Sequence, residues 1–193
     1  NFSSSGQNSL KNTNNLRTSI TNDLAYSSFD YYTNLGIKNN FNLYFKNLNS
    51  VGKKDPKYKS TPRVEGMSIF EVGSSLPFIK QNKSSSEILT PKLSLRVNPT
   101  NSMKNYSSQK SVINANNAFS INRLSISDSF EQGKSLTLGI DYKLDLEEPE
   151  VDVQNKDQEE PKDKFLEFKL ATVLRDKIED KIPTSSTINQ KNS

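Results

Sequence analysis

The chain has 193 residues, of which 32% are hydrophobic and 25% charged, and its formal net charge is +4. It contains no cysteine and no histidine, which excludes disulfides, thiol chemistry, Cys/His zinc sites and a Ser-His-Asp triad. The small positive excess comes without a Lys/Arg run or an aromatic-basic stripe, so we expect no nucleic acid among the partners.

Two alternating segments follow a polar start. Residues 1–15 are rich in Ser and Asn and have few apolar positions, so we predict a loop there. Apolar residues then recur at alternate positions near 16–27 and again near 33–46, which is the period of a β-strand with one apolar face. A short turn at 27–30 separates them, so the two segments predict a hairpin.

The middle of the chain alternates between loops and strands. Pro and Gly interrupt residues 47–65, which predicts a long loop. Alternation resumes near 67–80, where Pro77 marks the end of the strand or a bulge, because proline cannot donate to a β-ladder. After a short polar turn, a fourth strand is predicted near 88–98.

The most regular pattern lies near 135–146, where six apolar residues fall on every second position: Leu136, Leu138, Ile140, Tyr142, Leu144 and Leu146. A tilted strand needs roughly 9–11 residues to cross a bilayer, and this fifth strand has that length. We therefore expect Leu138 and Ile140 to face lipid. Thr137 is expected to face the lumen, which is either watery or filled by a plug, and an arginine there should cost much less than at Leu138.

The last part of the chain joins an acidic connection to a sixth strand. Residues 147–163 hold eight acidic side chains and two prolines, which indicates a solvated connection. Alternation returns near 164–175. Together the segments predict an all-β fold, an antiparallel meander of about six strands that forms part of a large transmembrane outer-membrane β-barrel.

The loop 100–132, between the fourth and fifth strands, is too apolar to be fully solvated. Its apolar side chains need a protein surface to cover them, so we expect part of this loop to fold towards the lumen: Phe119, Ile121, Leu124, Ile126 and Phe130. We also expect Arg123 to anchor the loop through a carboxylate. Asp128 is near enough in sequence to pair with it across a bend.

This loop and the fifth strand resemble the C-terminal barrel of the LPS-assembly outer-membrane proteins, the LptD family. That family has a segment of the type N-x-F-S-x-N-R-F-S-G-x-D-R-x-E-x-G before a strand that ends in x-Y-G-L-x-Y. The matching residues are Asn117, Phe119, Ser120, Asn122, Arg123, Ser125, Asp128, Glu131, Gly133, Gly139 and Tyr142. Ile126 stands where the family usually has Gly, and Ser129 or Phe130 where it usually has Arg.

A second passage resembles the same family. Val173-Leu174-Arg175 and the later Ile182-Pro183-Thr184-Ser185-Ser186 are similar to its V-L-R…L-P-x-S-S-G passage, with Thr187 in place of the last Gly. Within the two passages, we take the motif loop as the candidate site of this chain: Asn122, Arg123, Asp128 and Gly133.

The resemblance implies a role in the cell outer membrane. Residues 1–193 would be an internal fragment of the barrel domain of a translocon that assembles lipopolysaccharide into the outer leaflet. The implied partners are lipopolysaccharide, outer-membrane lipids, an LptE-like plug lipoprotein, and a periplasmic transport bridge reached through an N-terminal domain that this fragment lacks. No turnover chemistry is expected, and hence no catalytic residue, cofactor or metal.

Two other readings share most of these features. Another outer-membrane barrel, a porin or a receptor, would show the same alternation and aromatic strand ends. A secreted Asn/Ser-rich β-sandwich or adhesin segment would pack its apolar faces against each other around a core. The motif loop and the second passage favour the LptD-like reading over both.

Overall fold

The computed structural model describes residues 1–11, 14–100, 111–127, 129–146, 164–178 and 182–188. Within those ranges there are nine β-strands, all paired antiparallel, and no helix, which confirms the predicted all-β fold class. Nowhere in this part of the chain is there a helix of sufficient length and apolar character to cross a membrane. The strands are β1 (Phe2–Lys11), β2 (Asn15–Ser27), β3 (Tyr31–Tyr32), β4 (Lys38–Lys53), β5 (Arg63–Ser75), β6 (Phe78–Asn82), β7 (Ser85–Asn98), β8 (Gly133–Leu146) and β9 (Lys164–Arg175).

The strands form one open sheet in the order β1-β2-β4-β5-β7-β8-β9. The short strand β3 pairs with the start of β4, and β6 pairs with the start of β7. Each long strand thus lies beside its neighbour in the sequence, and β1 and β9 form the two edges. An antiparallel meander with two free edges is consistent with a segment of an outer-membrane barrel wall.

Side chains on the two faces of the sheet differ in character. The outer face carries exposed apolar residues in a continuous band, which nothing in the described part of the chain covers: Leu24, Tyr26, Leu43, Phe45, Phe70, Leu89, Leu93, Leu95, Leu138, Ile140, Phe168, Leu170 and Leu174. The inner face carries the polar set and the buried residues. A strand with one apolar and one polar face is the pattern of a barrel that lies between lipid and a lumen.

The apolar band crosses the sheet obliquely. On β8 it covers residues 136–146, whereas on β4 it is confined to 41–45. Phe41 is in register with Val72, Val72 with Leu95, and Leu95 with Leu136. The band on β4 therefore begins at the level where the band on β8 ends. Such a shift along successive strands is expected when strands are tilted relative to a flat membrane.

The prediction of a loop over residues 1–15 is wrong, because β1 occupies most of that segment and pairs with β2 over ten residues. Its sequence lacks apolar alternation because its inner positions are polar, and on its outer positions only Phe2 and Leu10 are large and apolar. Ser4 donates a hydrogen bond to Asn22 (2.7 Å), so small polar side chains connect this strand to its neighbour.

The long loop predicted at 47–65 begins too early. Strand β4 continues to Lys53, and the connection to β5 covers residues 54–62. The reason is a row of amides on the outer face. Asn22 and Asn49 both donate to Asn47 Oδ1, at 3.0 and 2.6 Å, and Asn47 donates to the Glu65 carbonyl at 3.2 Å. Two of these hydrogen bonds connect β4 to its neighbours β2 and β5, where apolar contacts are absent beyond the band.

The strand predicted near 67–80 is divided into β5 and β6. The interruption falls at Leu76 and Pro77, as expected where proline removes a ladder donor. Strands β2, β7, β8 and β9 cover the segments predicted near 16–27, 88–98, 135–146 and 164–175, and β4 takes the place of the segment near 33–46. The acidic connection 147–163 lies outside the described residues.

Candidate functional site

Two segments beyond the strands lie on the inner face and form what we call the cap: residues 111–127 with 129–132, and residues 182–188. They share an apolar cluster with one strand residue, Val173 of β9. Its buried members are Ile113, Ala118, Leu124, Ile126, Val173, Ile182 and Ile188. Full burial of one such aliphatic side chain contributes about 1.5–3 kcal/mol, so the cluster is a substantial source of stability for the cap.

Hydrogen bonds between the two segments make the cap one unit. The Ser186 hydroxyl accepts from the Ile113 amide at 3.0 Å, and the Ile188 amide donates to the Ile113 carbonyl at 3.3 Å. The connection after β7 and the connection after β9 are thus fastened to each other as well as to the sheet.

Asparagines shape the first segment of the cap. Asn122 pairs with the backbone of Ile126 at both ends, accepting from its amide at 3.1 Å and donating to its carbonyl at 2.8 Å. Between them, Ser125 has a φ of 53°, in the left-handed region. Asn117 donates to the Val112 carbonyl at 2.8 Å. Asparagine side chains that imitate backbone groups in this way stabilise tight turns.

A bidentate ion pair lies beneath the cap. Arg123 Nε and Nη2 donate to the two carboxylate oxygens of Glu131, at 2.5 and 2.8 Å. Arg123 Nη2 also donates to the Ser135 hydroxyl at 2.9 Å, which connects the cap to the start of strand β8. Both charged side chains are almost completely buried, at 2% and 3% exposure. Charge-assisted pairs of this geometry are the strongest hydrogen bonds that proteins make.

Two further arginines from the sheet converge on Glu131. Arg175 of β9 donates to Glu131 Oε1 at 3.1 Å, and Arg96 of β7 lies 3.6 Å from Oε2. Arg96 Nη2 and the Asn98 amide donate to the Glu131 carbonyl, at 3.2 and 2.9 Å. Glu131, a residue of the cap, is thus held by side chains from two strands of the barrel wall, β7 and β9.

The surrounding charges keep Glu131 ionised. Burial alone would raise the pKa of this carboxyl, but Arg123, Arg96 and Arg175 outweigh it and lower the pKa to about 2. A carboxyl with a lowered pKa stabilises the folded state above its unfolded pKa, near 4.5, and the contribution is lost as the pH falls through the folded value. The anchor is therefore intact at every pH above about 4.5.

We expect cap docking to be insensitive to pH from 8 down to about 4.5 and to weaken progressively from there towards about 2. Limited proteolysis of the cap in detergent micelles across this range measures it. Glu131→Gln is the control: its cap should be cleaved faster at pH 7, with less further change on acidification. Cleavage of both proteins with the same pH dependence would show that another group controls docking.

Three of the four motif residues are placed by the structure. Arg123 and Asn122 lie in the cap as described, and Gly133 begins β8, whereas Asp128 lies outside the described residues. The carboxylate that Arg123 contacts is Glu131. Gly133 has a φ of 85°, and a Cβ there would lie 2.7 Å from an Asp176 carboxylate oxygen. Glycine is required at this position by both its conformation and its surroundings.

Sequence reasoning assigned no role to Glu131, Arg96 or Arg175. Glu131 and Arg175 belong to the two motif passages, so their charge was a usable signal. Arg96 falls on the lumen side of β7, where a polar residue is ordinary, and nothing in the sequence singles it out. Thr137 lies on the inner face, as expected of a lumen-side residue. It is 2% exposed under the cap and 3.4 Å from Arg123 Nη1, which leaves no room for the inexpensive arginine expected there.

An aromatic–glycine contact fixes the cap further along β8. A Cβ on Gly139 would lie 2.6 Å from Phe119 Cε2 and 2.9 Å from the Leu170 carbonyl oxygen, both too close for real atoms. The absent side chain leaves the space that the Phe119 ring occupies. A ring that covers a strand glycine compensates for the contacts the glycine cannot make.

Gly139→Ala should therefore displace the Phe119 ring and destabilise the protein by about 1–3 kcal/mol, the usual cost of overpacking. Urea titration of the full-length protein refolded in lipid measures it. Gly66→Ala is the matched control, because its Cβ would meet the Phe45 ring at an ordinary 3.6 Å. In the double variant with Phe119→Ala, part of the Gly139→Ala cost should vanish. Strictly additive costs would mean that ring and glycine are not coupled.

The comparisons with known proteins agree with this architecture. The family model of LptD, the LPS transport system D, matches residues 4–150. No curated protein and no solved structure matches the chain. The match covers β1 to β8 and the motif loop, well over half of the 193 residues. The chain therefore belongs to the LptD family of lipopolysaccharide transport proteins.

Proposed function

We propose that this chain forms part of the wall of the outer-membrane translocon that assembles lipopolysaccharide into the outer leaflet. Members of the LptD family act in lipopolysaccharide transport and outer-membrane biogenesis, and the family is one of transport and assembly proteins rather than enzymes. For this chain we assign the function to the barrel wall, with lipid on one side and a partly filled lumen on the other.

The observation that carries the proposal is the opposite character of the two sheet faces. The outer face presents an oblique apolar band with no cover in the described chain, as a wall in contact with lipid requires. The inner face holds the cap where the buried Arg123–Glu131 pair contacts strand residues: Ser135 of β8, Arg96 of β7 and Arg175 of β9. A porin-type channel needs only an open lumen, whereas a fixed inner cap suits a barrel that controls the passage of a large amphipathic molecule.

The partners that we propose are those implied by membership of the family. Lipopolysaccharide and outer-membrane lipids contact the wall, and an LptE-like plug lipoprotein occupies the lumen beside the cap. A periplasmic bridge delivers the glycolipid through an N-terminal domain outside residues 1–193. We propose that the whole of 1–193 belongs to the barrel domain, because β9 continues the sheet beyond residue 150, where the family match ends.

Depletion of the full-length protein in its host tests the proposal. We expect the fraction of lipopolysaccharide at the cell surface to fall while total lipopolysaccharide stays constant, and the protein to fractionate with outer membranes. Antibody labelling of intact against lysed cells gives the surface fraction. Depletion of an abundant porin is the control for general membrane damage. A normal surface fraction in depleted cells would contradict the proposal.

A further inference from the structure

A polar cleft lies on the inner face beside the cap, where β4, β5 and β7 meet. Its volume is about 300 Å³, at the lower end of the range for small-molecule sites. The residues that give it its chemistry are Lys38, Asn42, Glu71, Lys92, Ser94 and Phe119. Of the motif loop only Phe119 reaches this cleft, and neither Arg123 nor Glu131 lines it.

We propose that the cleft is a saccharide subsite, which binds one or two sugar rings of the glycolipid during its passage. This inference rests on the proposed function, and it adds where on the barrel wall the glycolipid is bound and which part of the glycolipid is recognised.

Both lysines of the cleft are paired with carboxylates. Lys38 pairs with Asp30 at 2.7 Å, and Lys92 pairs with Asp141. Glu71 accepts a hydrogen bond from the Asn42 amide at 3.2 Å. Paired charges leave donors and acceptors of both kinds but little net field, so a phosphate gains no large attraction here. A ligand rich in hydroxyl groups, each both donor and acceptor, fits such a lining.

One wall of the cleft is aromatic. The cap carries the Phe119 ring to this position, and the ring edge rests on Gly139. Lys92 Nζ lies 5.8 Å from the ring centroid, so the ring and the ammonium group lie on the same side of the cleft. The apolar C–H face of a pyranose packs against an aromatic ring by dispersion and weak C–H contacts, while its hydroxyl groups reach the polar residues around it.

The lining favours a sugar over a protein segment. Protein contacts concentrate apolar and aromatic side chains at their centre. Of the residues that line this cleft, only Leu93 and Phe119 are apolar, and the others are lysines, asparagines, serines, a glycine and a glutamate. A contact with the plug lipoprotein is therefore the weaker alternative, and the test separates it.

The test measures binding of core oligosaccharide, freed from lipid by mild acid hydrolysis, to the full-length protein in detergent micelles. Isothermal titration calorimetry and saturation-transfer NMR give the affinity and the contacting sugar protons. Phe119→Ala should weaken binding about tenfold, as loss of an aromatic contact does. Asn42→Ala, in a strand rather than in the cap, should also weaken it. Ser68→Ala, which lies on the outer face of β5, should have no effect.

Two further arms identify the source of the binding. Raising salt from 50 to 500 mM should change the affinity less than twofold if the sugar is bound through neutral contacts. Steep loss with salt would assign the binding to phosphate groups and overturn the proposal. Binding of intact lipopolysaccharide in micelles should be weakened by the same two substitutions, because the intact molecule carries the same sugars.

Three other results would also overturn the saccharide proposal. The oligosaccharide does not bind, or neither Phe119→Ala nor Asn42→Ala changes its binding, or the two substitutions weaken binding of the plug lipoprotein and leave oligosaccharide binding unchanged. The proposed function is tested separately. If depletion lowers surface lipopolysaccharide but the oligosaccharide does not bind, the cleft assignment fails and the transport role stands.

Discussion

Replacing Arg123 by alanine is expected to release the cap from the inner face while the strands still assemble into the barrel wall. The change removes both hydrogen bonds to Glu131 and the one to Ser135, all inside a buried site. Loss of one partner of a buried pair costs about 3–5 kcal/mol. The lower end applies here, because Arg175 still neutralises part of the Glu131 charge.

The measurement scores assembly and delivery separately in the full-length protein. Heat-modifiable migration reports barrel assembly, and surface labelling reports lipopolysaccharide in the outer leaflet. We expect normal assembly, faster proteolysis of the cap and reduced surface lipopolysaccharide.

Arg17→Ala is the matched control. Arg17 also pairs with a carboxylate, Asp55 at 2.6 Å, but its side chain is 36% exposed. The Asp55 side chain is only 9% exposed, but it keeps hydrogen bonds from the Lys57 and Tyr58 backbone amides when Arg17 is removed. We therefore expect this variant to lose about 0–1 kcal/mol and to keep normal assembly and delivery. If Arg123→Ala assembles with a protected cap and normal surface lipopolysaccharide, Arg123 does not act as an anchor.

The strand positions were predictable wherever lipid faces the sheet. On β8 and β9 every outer position between 136 and 146 or between 166 and 170 is apolar, so the period of two is visible in the sequence. On β1 and the second half of β4 most outer positions are Ser, Gly or Asn, and side-chain hydrogen bonds across strands replace apolar contacts there. The sequence shows no apolar alternation in those segments, and they were therefore predicted as loops.

The sequence predicted that the loop 100–132 is covered by protein, but it did not predict that Arg123 contacts Glu131. Its apolar side chains exclude a solvated loop, and Ile113, Leu124 and Ile126 are indeed buried. Which carboxylate meets Arg123 depends on the turn at Ser125 and the Asn122–Ile126 hydrogen bonds, which carry the chain back towards β8. The contact with Glu131 comes from tertiary geometry, which distance along the sequence does not give, and Asp128 lies outside the described residues.

Leu138→Arg and Ile140→Arg should each destabilise the barrel by about 2–4 kcal/mol, the cost of an arginine on the lipid face near the bilayer midplane. Both residues lie on the outer face of β8, with 38% and 41% of their surface exposed in the open sheet. Leu138 is beside Leu93 of β7 and Ile140 beside Leu170 of β9, so each stands inside the apolar band. An arginine there has no carboxylate within the band to pair with and must reach towards the membrane surface.

The control for this prediction cannot be Thr137, although it faces the lumen on the same strand. An arginine at that position would meet the cap and the buried Arg123 at once, so it should also be costly for reasons unrelated to lipid. Gln7→Arg is the appropriate control. Gln7 lies exposed on the inner face of β1 and already carries a long polar side chain, so the substitution changes little besides the charge. Urea titration of the full-length protein refolded in lipid should give a cost of less than about 1 kcal/mol for Gln7→Arg. Equal costs for Gln7→Arg and Leu138→Arg would mean that the outer band packs against protein rather than lipid, as the two faces of a sandwich would.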